Sequence, residues 1–213
     1  MNKYLEIDLA AHCKSMGCPD SAKLHCEAVH AAYVKEVTTM VSNDEDLAKE
    51  TLTSAQETAG FEEPPQRLAL GGHFNHMLLW SVLRSETEAE SEPTGALMEQ
   101  ISKQYTDFEG FKYAFKQAVA NRAMPGWVWL GLRNGKDLVI CQTNNEDNPL
   151  MGGVAEMPCT PILGIDLWEH AYFHTYKGDK AAYCADFLAR VNWAKVSASF
   201  ETHNMKSQVA DLL

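Results

Sequence analysis

Two pairs of residues in this sequence combine side-chain types and spacings that suit metal chemistry. Asp166 and His170 stand four positions apart where a predicted strand leads into a helix, so both can face one point. His73 and His76 stand three positions apart on an earlier predicted helix and share one of its faces. Imidazoles with one carboxylate suit Mn, Fe, Zn or Cu, whereas a Ca or Mg site needs more oxygen ligands.

Each of these patterns is weak evidence when taken alone. His25 and His30 lie on the first predicted helix among aromatic and aliphatic neighbours. A single histidine on an apolar helix face is more often a packed or hydrogen-bonded structural residue, and Asp-x-x-x-His occurs by chance in many helices. From spacing alone, a metal site and a set of structural histidines therefore both remain open.

Two helical segments are predicted in the N-terminal part of the chain. Residues 21–40 carry Ala, Leu, Val and Tyr at three- and four-residue spacing, and residues 65–83 form a second helical stretch. An acidic connection, residues 43–60, separates them. A polar, acidic segment at 84–93 then runs into Pro-Thr-Gly and is taken as a boundary. Residues 1–91 are therefore predicted to form an N-terminal helical hairpin domain.

The rest of the chain, residues 92–213, is predicted to form a C-terminal α/β domain. Two β-prone runs are separated by Asn134-Gly135, the strongest short-range signal for a hairpin. A third strand follows a loop rich in Gly and Pro, and the chain is helical again from Leu167. The predicted fold is α+β, with a helical hairpin followed by an α/β domain that holds a small three-stranded antiparallel sheet. The predicted helices span 94–105 and 108–121, and the predicted strands span 126–133, 138–143 and 161–166.

Charge and hydropathy exclude some classes of partner. The 213 residues include 18 Lys and Arg against 29 Asp and Glu, a formal net charge of -11. No nucleic acid is expected as a partner, because the surplus of basic residues that neutralises phosphates is missing. A small anionic substrate needs a local positive field, since the global charge repels it. No membrane span is expected either, because the chain has no run of about 18 apolar residues.

The six cysteines and the N-terminus bear on the compartment. The chain has no CxxC pair, and its cysteine density is low for a disulfide scaffold. We expect reduced thiols of an intracellular protein, with Cys13 and Cys18 close enough in sequence to be the exception. The first residues, MNKYLEIDLAAH, resemble neither a signal nor a transit peptide. The predicted compartment is the mitochondrial matrix, after removal of a presequence, or the cytoplasm.

Five motifs carry a resemblance to a known family. The octapeptide DLWEHAYF at 166–173 resembles the DxWEHAYY signature of the iron/manganese superoxide dismutases, which is long and specific. GGHFNHMLLW at 71–80 resembles the family's second-helix motif, and PGWVW at 125–129 resembles its GSGWxWL strand. NNEDNPL at 144–150 resembles NQDxPL, and VNW at 191–193 matches the closing VNW. The resemblance covers residues 22–196 and implies the family's fold.

The resemblance implies a set of metal ligands and site residues. The ligands would be His25, His76, Asp166 and His170, holding one manganese or iron ion per chain, and His73 becomes a neighbour that packs or hydrogen-bonds. The implied site residues are Tyr33 as the gateway, Glu146 beside the bound solvent, Trp127 as a wall, Glu169 reaching the partner subunit, and Lys180 in the funnel. Trp80 and Trp168 would complete the wall.

The sequence departs from the family at several of these positions. Val29 stands where a gateway His is usual, and Phe173 stands where the Tyr that pairs with that His across the dimer is usual. Pro125 replaces the Ser at the subunit contact, and Ala123 replaces a Phe. Lys180 replaces the funnel Arg, which keeps the charge but loses the bidentate fork.

Glu146 is the departure with the clearest chemical consequence, since the family has Gln in NQDxPL. An ionised Glu146 would reduce the attraction for an anionic substrate, so replacing it with Gln should raise activity. A protonated Glu146 would imitate the Gln donor, and the replacement should change little near neutral pH. If the side chain points away from the metal, the replacement should do nothing.

Two functions follow from the resemblance. The first is a superoxide dismutase that acts on superoxide as a homodimer, in which one metal ion takes an electron from one superoxide and gives it to the next. Uptake of a proton with the electron keeps the charge of the site constant. The alternative is a superoxide-dismutase-like structural or accessory subunit, in a heterodimer or a larger assembly, with weakened activity. Four intact ligands favour the enzyme.

Overall fold

Helices form most of the chain and enclose one small sheet. The computed structural model describes residues 25–84, 89, 91–135 and 137–202. Within them, a π-helical turn at His25–His30 leads directly into the first α-helix. The α-helices are α1 (Ala31–Asn43), α2 (Leu52–Ala59), α3 (Pro64–Val82), α4 (Gly95–Tyr105), α5 (Phe108–Asn121), α6 (Glu169–Tyr176), α7 (Lys180–Arg190) and α8 (Trp193–Thr202).

The central helix α3 is buried along most of its length. Every residue from Ala69 to Val82 is buried, because α1 and α2 pack on one side of α3 while β3 and α8 pack against it elsewhere. A helix that is apolar on all faces is expected in such a position. The prediction of a helix at 65–83 is confirmed, and so is the helix at 31–40. Residues 21–24 lie outside the described residues.

The predicted connection at 43–60 was wrong in one respect, because it contains α2. Thr51 begins this helix with a capping box, in which Thr51 Oγ1 accepts from Ser54 N–H and Ser54 Oγ accepts from Thr51 N–H. The usual capping-box signature has Glu or Gln in place of Ser54, so the pattern was not recognised. Apolar residues of α2 pack into a small second core with α1 and α3, formed by Val37, Val41, Ala55, Ala59, Ala69, Leu70 and Met151.

The sheet has three antiparallel strands in the order β2-β1-β3. The Asn134-Gly135 turn joins β1 to β2, with positive φ at both residues, and Arg133 pairs with Asp137 at the ends of the two strands. The predicted hairpin and the third strand are confirmed within one residue at each end. The strands are β1 (Gly126–Arg133), β2 (Asp137–Asn144) and β3 (Thr160–Asp166).

The N-terminal helices and the sheet share a main hydrophobic core. Phe74 and Trp80 from α3 belong to the same buried cluster as Trp129 from β1 and Phe115 from α5. The predicted fold class, with N-terminal helices followed by an α/β part, is confirmed. The division into domains 1–91 and 92–213 stays a prediction. Among the described residues, no helix is both long and apolar enough to cross a membrane.

The cysteines differ from the expectation of uniformly reduced thiols. Cys26 is disulfide-bonded, whereas Cys141, Cys159 and Cys184 are free. The expected exception, Cys13 with Cys18, lies outside the described residues. Spacing could not reveal the bond at Cys26, because the pairing of cysteines depends on how the chain folds.

Candidate metal centre

Four side chains from four segments converge at the end of the sheet. His25 comes from the π-helical turn, His76 from α3, Asp166 from the end of β3 and His170 from α6. Each offers one ligand atom, and these four atoms all lie within 4.8 Å of one another. We call this set of four residues the ligand cluster.

The atoms of the ligand cluster meet around one carboxylate oxygen. Asp166 Oδ2 lies 3.0 Å from His25 Nε2, 3.1 Å from His170 Nε2 and 3.6 Å from His76 Nε2. The Nε2 atoms of His25 and His76 face each other at 2.8 Å. Three ring nitrogens and one oxygen therefore point into the same small volume.

Backbone contacts fix how two of these side chains present their ligand atoms. His76 Nδ1 lies 2.6 Å from the carbonyl oxygen of Gly72, and a carbonyl only accepts, so Nδ1 carries the proton. The lone pair of His76 is therefore on Nε2, the atom that faces the cluster. Asp166 Oδ1 accepts from the backbone N–H of Trp168 at 2.8 Å, which leaves Oδ2 directed at the histidines.

The electrostatics keep two of the imidazoles, those of His25 and His76, neutral and the carboxyl ionised. Burial lowers the pKa of His76 to about 3 and also lowers the pKa of His25. Burial opposes ionisation of Asp166 too, but hydrogen bonds with His170 and His25 outweigh it and hold the Asp166 pKa below its ordinary value. Neutral imidazoles with one carboxylate are the protonation states that metal binding requires.

The donor set fits a transition metal such as manganese or iron. Three imidazole nitrogens and one carboxylate oxygen are ligands that these metals accept, and the set has too few oxygens for calcium or magnesium. Among the described residues, this is the single group of three or more His, Cys, Asp or Glu side chains arranged to hold an ion.

Glu146 is fully buried and forms one wall of the site. Its Oε2 accepts from Trp127 Nε1 at 2.8 Å and from Asn75 Nδ2 at 3.1 Å, while its Oε1 accepts from the Tyr33 hydroxyl at 3.0 Å. Asn75 Nδ2 also donates to the backbone oxygen of Glu146 at 2.9 Å. The side chain therefore points toward the site, and the expectation that it could point away does not hold.

Two adjacent glycines of α3 make this arrangement possible. A Cβ on Gly71 would overlap the backbone oxygen of Glu146, and a Cβ on Gly72 would overlap the ring of Tyr33. The missing side chains let the loop with Glu146 and the helix with Tyr33 approach α3 closely. The Gly71-Gly72 pair thus lets Glu146 and Tyr33 come within hydrogen-bond distance of each other.

The protonation of this pair follows from its burial. Burial raises the pKa of Glu146 well above its ordinary value, and the charge of Asp166 adds to this effect, although three hydrogen bonds oppose it. Burial and the neighbouring Glu146 raise the pKa of Tyr33. In the protonated form of Glu146, Oε2 still accepts two N–H groups, so the proton lies on Oε1 and the contact with Tyr33 reverses, with Oε1 donating to the Tyr33 oxygen.

His30 and His73 form a separate hydrogen-bonded chain with Trp80. Trp80 Nε1 donates to His30 Nδ1 at 3.2 Å, and His30 Nε2 lies 3.0 Å from His73 Nδ1. Since an indole only donates, His30 Nδ1 accepts. His30 Nε2 therefore carries the ring proton and donates a hydrogen bond to His73 Nδ1. We call these three residues the histidine relay. The assignment of His73 as a packing or hydrogen-bonding neighbour agrees with this contact.

Aromatic rings surround the ligand cluster as expected. Trp80 meets His25 edge-on with centroids 5.1 Å apart, and Trp127 meets His76 edge-on at 5.3 Å. Trp168 stacks on His170 with centroids 6.0 Å apart. These rings exclude water from most of the site while His170 stays partly exposed.

The remaining predicted site residues lie farther out. Glu169 is exposed on the first turn of α6, beside His170. Lys180 Nζ donates to the backbone oxygen of Arg122 at 2.8 Å, and its ammonium lies 5.8 Å from the centroid of the Tyr172 ring. Lys180 is thus anchored near the end of α5, and its role in a substrate funnel stays a prediction.

Sequence reasoning missed two residues that hold the site. Asn75 was noticed only as part of a motif, yet its Nδ2 donates to both the backbone oxygen and the Oε2 of Glu146. Arg122 is 6% exposed, and it donates to Pro125 O at 2.7 Å and to Asn144 Oδ1 at 3.0 Å. Arg122 therefore joins the start of β1 to the loop with Glu146. No spacing signal marks the contacts of Asn75 with Glu146 or of Arg122 with Asn144, because these partners are 71 and 22 positions apart in sequence.

Comparisons with known proteins agree with this geometry. Residues 93–199 match the family model described as "Iron/manganese superoxide dismutases, C-terminal domain". The chain is 34% identical over 178 residues to "Superoxide dismutase [Mn]" of Acinetobacter baylyi, covering 84% of this chain and 77% of that protein. It is also 34% identical over 188 residues to the protein of the same name from Listeria innocua, covering 85% and 88%. For the Haemophilus ducreyi protein of that name, the identity is 33% over 187 residues, and 85% of each chain is covered.

Proposed function

This chain belongs to the iron/manganese superoxide dismutase family, and we propose that it disproportionates superoxide to dioxygen and hydrogen peroxide. The observation that carries the proposal is the convergence of four ligand atoms within 4.8 Å, with His25 and His76 neutral and Asp166 ionised. The four intact side chains support an enzyme, and nothing in the described part of the chain favours the accessory-subunit alternative.

The ligand cluster holds one manganese or iron ion. When bound, the ion supplies one-electron redox chemistry, alternating between its +3 and +2 states. The protein contributes three neutral imidazoles and a single negative charge from Asp166, so the loaded site stays positive. That local charge attracts an anion to a chain whose net charge is -11.

Glu146 and Tyr33 hold protons next to the site. Dismutation of two superoxide anions consumes two protons, and these two groups form a hydrogen-bonded pair of weak acids beside His76 of the ligand cluster. We place one proton on Glu146 Oε1 and one on the Tyr33 hydroxyl, since burial raises both pKa values. Asn75 and Trp127 keep Oε2 occupied and so orient Oε1 toward Tyr33.

Metal content and superoxide consumption, measured on the same preparation, test this function. The expected result is up to one manganese or iron ion per chain and a rate of superoxide loss proportional to the bound metal. A metal-loaded protein that consumes no superoxide would instead support the accessory-subunit alternative. A protein that binds neither metal would remove the basis of the proposal.

We further propose that the chain works as a homodimer through the exposed face of α6. Glu169 is exposed there, and Phe173 is 57% exposed. His170 faces Asp166 through Nε2, so its Nδ1 is available to donate to Glu169 of the partner subunit, which fixes the ring. With Phe173 unable to form the usual polar link, the interface rests more on apolar contact. Sedimentation that shows an active, metal-loaded monomer would contradict this.

A further inference from the structure

Two free thiols meet outside the ligand cluster. Cys141 lies on β2 and Cys159 lies immediately before β3, and their Sγ atoms are 3.7 Å apart. Neither thiol is in a disulfide bond. Both residues are largely buried, with 7% and 9% of their surface exposed. This distance is a thiol hydrogen bond, and closing it to a disulfide needs a movement of less than about 2 Å.

A glycine on the central strand makes this contact possible. The strand order β2-β1-β3 places β1 between the two cysteine-bearing segments. A Cβ on Gly131 of β1 would overlap Cys159 Sγ, so any other residue there would obstruct the thiol on its way toward Cys141. The thiol pair therefore depends on the packing of all three strands.

Cys141 is within reach of solvent molecules through a surface cavity. Cys141 lines a surface cavity of about 480 Å³ together with Arg122, Thr143, Glu156 and Met157. Cys159 is not among the residues that line this cavity in the described part of the chain. A molecule as small as hydrogen peroxide fits this volume, since a water needs about 30 Å³.

The hydrogen bond between the thiols also makes them chemically unequal. The hydrogen-bonded contact with Cys159 lowers the pKa of Cys141. The same hydrogen bond, together with burial, raises the pKa of Cys159. Because the thiolate is the reactive species and Cys141 is the thiol that lines the cavity, we assign Cys141 as the nucleophile, and the Cys159 thiol reacts in the second step.

We propose that Cys141 and Cys159 form a peroxide-oxidised dithiol, in which hydrogen peroxide converts the pair to a disulfide. The Cys141 thiolate attacks one oxygen of hydrogen peroxide, the O–O bond breaks, and the departing hydroxide takes up a proton to become water. The resulting sulfenic acid is then attacked by the Cys159 sulfur, which forms the S–S bond and releases a second water. Two thiols lose two electrons, and one hydrogen peroxide gains them.

The oxidant is the product of superoxide dismutation, and for that supply the inference rests on the proposed function. The segment between the two cysteines carries Glu146, so the disulfide links both ends of the loop that walls the ligand cluster. A cross-link of this kind restricts the loop it closes.

Added hydrogen peroxide tests the dithiol separately from superoxide consumption. The metal-loaded protein is treated with peroxide, its thiols are counted after unfolding, and its peptides are mapped by mass spectrometry. We expect the loss of two thiols per chain and a peptide pair joined through Cys141 and Cys159. Disulfide formation in a protein that consumes no superoxide would count against the proposed function and support the dithiol.

Two variants and one internal reference separate the steps. In Cys159→Ser, oxidation should stop at a sulfenic acid on Cys141 that dimedone traps. In Cys141→Ser, Cys159 should react at least about tenfold more slowly than the pair does in the unaltered protein. Cys184 is fully buried, and burial raises its pKa to about 12. It should therefore react with hydrogen peroxide at least about tenfold more slowly than Cys141 does.

Three results would overturn the dithiol. They are oxidation of Cys184 as fast as Cys141, a dimedone adduct that forms first on Cys159, and a peroxide-treated protein in which both thiols remain reduced. The peptide map of the unaltered protein gives the first and third results even if a variant fails to fold.

Discussion

Two groups of buried histidines lie side by side in this protein, and they have different partners. The rings of His30 in the histidine relay and His76 in the ligand cluster stack with centroids 5.3 Å apart. In the ligand cluster, three imidazoles surround the anionic Asp166. In the relay, Trp80 donates an N–H to His30, and His30 contacts His73.

The comparison shows how a ligand histidine differs from a structural one. In a ligand histidine, the lone pair that faces the site is not used in a hydrogen bond with a donor. His76 donates through Nδ1 to a carbonyl and keeps its Nε2 lone pair for a metal. His30 uses its Nδ1 lone pair to accept from Trp80 and its Nε2 proton to reach His73. His25 and His76 are buried, as are His30 and His73, so burial alone does not identify a metal site.

The largest expected effect comes from removing one member of the ligand cluster. In His170→Gln, the loss of an imidazole ligand should lower metal affinity and superoxide consumption by at least about 100-fold, the upper end of what altered metal surroundings cost. Metal content after dialysis and superoxide consumption measure the two effects. His174→Gln is a matched control, because His174 is exposed one turn later on the same helix. Equal metal loss in both variants would contradict the assignment of His170.

Breaking the relay should affect stability and spare the metal. Trp80→Phe keeps an aromatic ring beside His25 but removes the N–H that His30 accepts. We expect the free energy of unfolding to fall by about 1–3 kcal/mol, the cost of losing a buried donor, with unchanged metal stoichiometry. Denaturant unfolding and metal analysis check this prediction. A variant that is as stable as the parent but has lost its metal would show that the two groups are not distinct.

A hydrogen bond near the ligand cluster should matter at alkaline pH. Burial and the hydrogen bond from the Tyr176 hydroxyl to Asp186 Oδ2, at 2.6 Å, raise the pKa of Tyr176 to about 12. A group whose folded pKa is raised contributes stability below its ordinary pKa and loses it as the pH rises through the folded value. Tyr176→Phe should therefore cost about 0.5–1.5 kcal/mol at neutral pH and less as the pH rises from about 10 to 12.

Unfolding experiments across that pH range measure the effect of Tyr176→Phe. The metal stoichiometry should not change, because Tyr176 lines a cavity beside His25 without belonging to the ligand cluster. A stability difference that is constant from neutral to alkaline pH would rule out the raised pKa of Tyr176 as its source.

The smallest effect on activity is expected for Glu146→Gln near neutral pH. A protonated Glu146 and a Gln both accept through one atom and donate through the other, so activity should stay within about twofold. As the pH rises toward the raised pKa of Glu146, the wild-type carboxyl ionises and repels superoxide. The variant should therefore keep more activity than the wild-type protein at alkaline pH.

Stability gives a second measurement of the same carboxyl. The folded pKa of Glu146 is raised, so the stability that its proton contributes is lost as the pH rises above the ordinary pKa of Glu. Glu146→Gln should be more stable relative to wild type near pH 7 than near pH 4. In Glu146→Leu, Trp127 and Asn75 lose their shared acceptor, and both stability and activity should fall. A large rise in activity for Glu146→Gln at neutral pH would show that Glu146 is ionised.

Local signals in the sequence predicted much of the fold. The Asn134-Gly135 turn located the β1–β2 hairpin, and apolar residues at three- and four-residue spacing located α1. Helix α2 was missed because it has only eight residues and a Ser where the capping-box signature has Glu or Gln. The disulfide at Cys26 was missed because the pairing of cysteines is not readable from sequence alone.

The candidate site was predictable only in part. Asp166 and His170 share a turn of chain, so their proximity follows from spacing, and the resemblance to the family supplied His25 and His76. The relay could not be predicted, since Trp80 and His30 are joined by folding across 50 positions. The same holds for Asn75 and Glu146, which are 71 positions apart and meet where Gly71 lets the loop approach α3.

Anomalous diffraction from crystals of the metal-loaded protein, collected at the manganese and iron absorption edges, tests the central claim most directly. The account predicts one anomalous peak per chain, about 2.0–2.3 Å from the ligand atoms of His25, His76, Asp166 and His170. It also predicts no peak at the relay. A peak between His30 and His73, or a fully loaded protein whose metal lies away from Asp166, would contradict it.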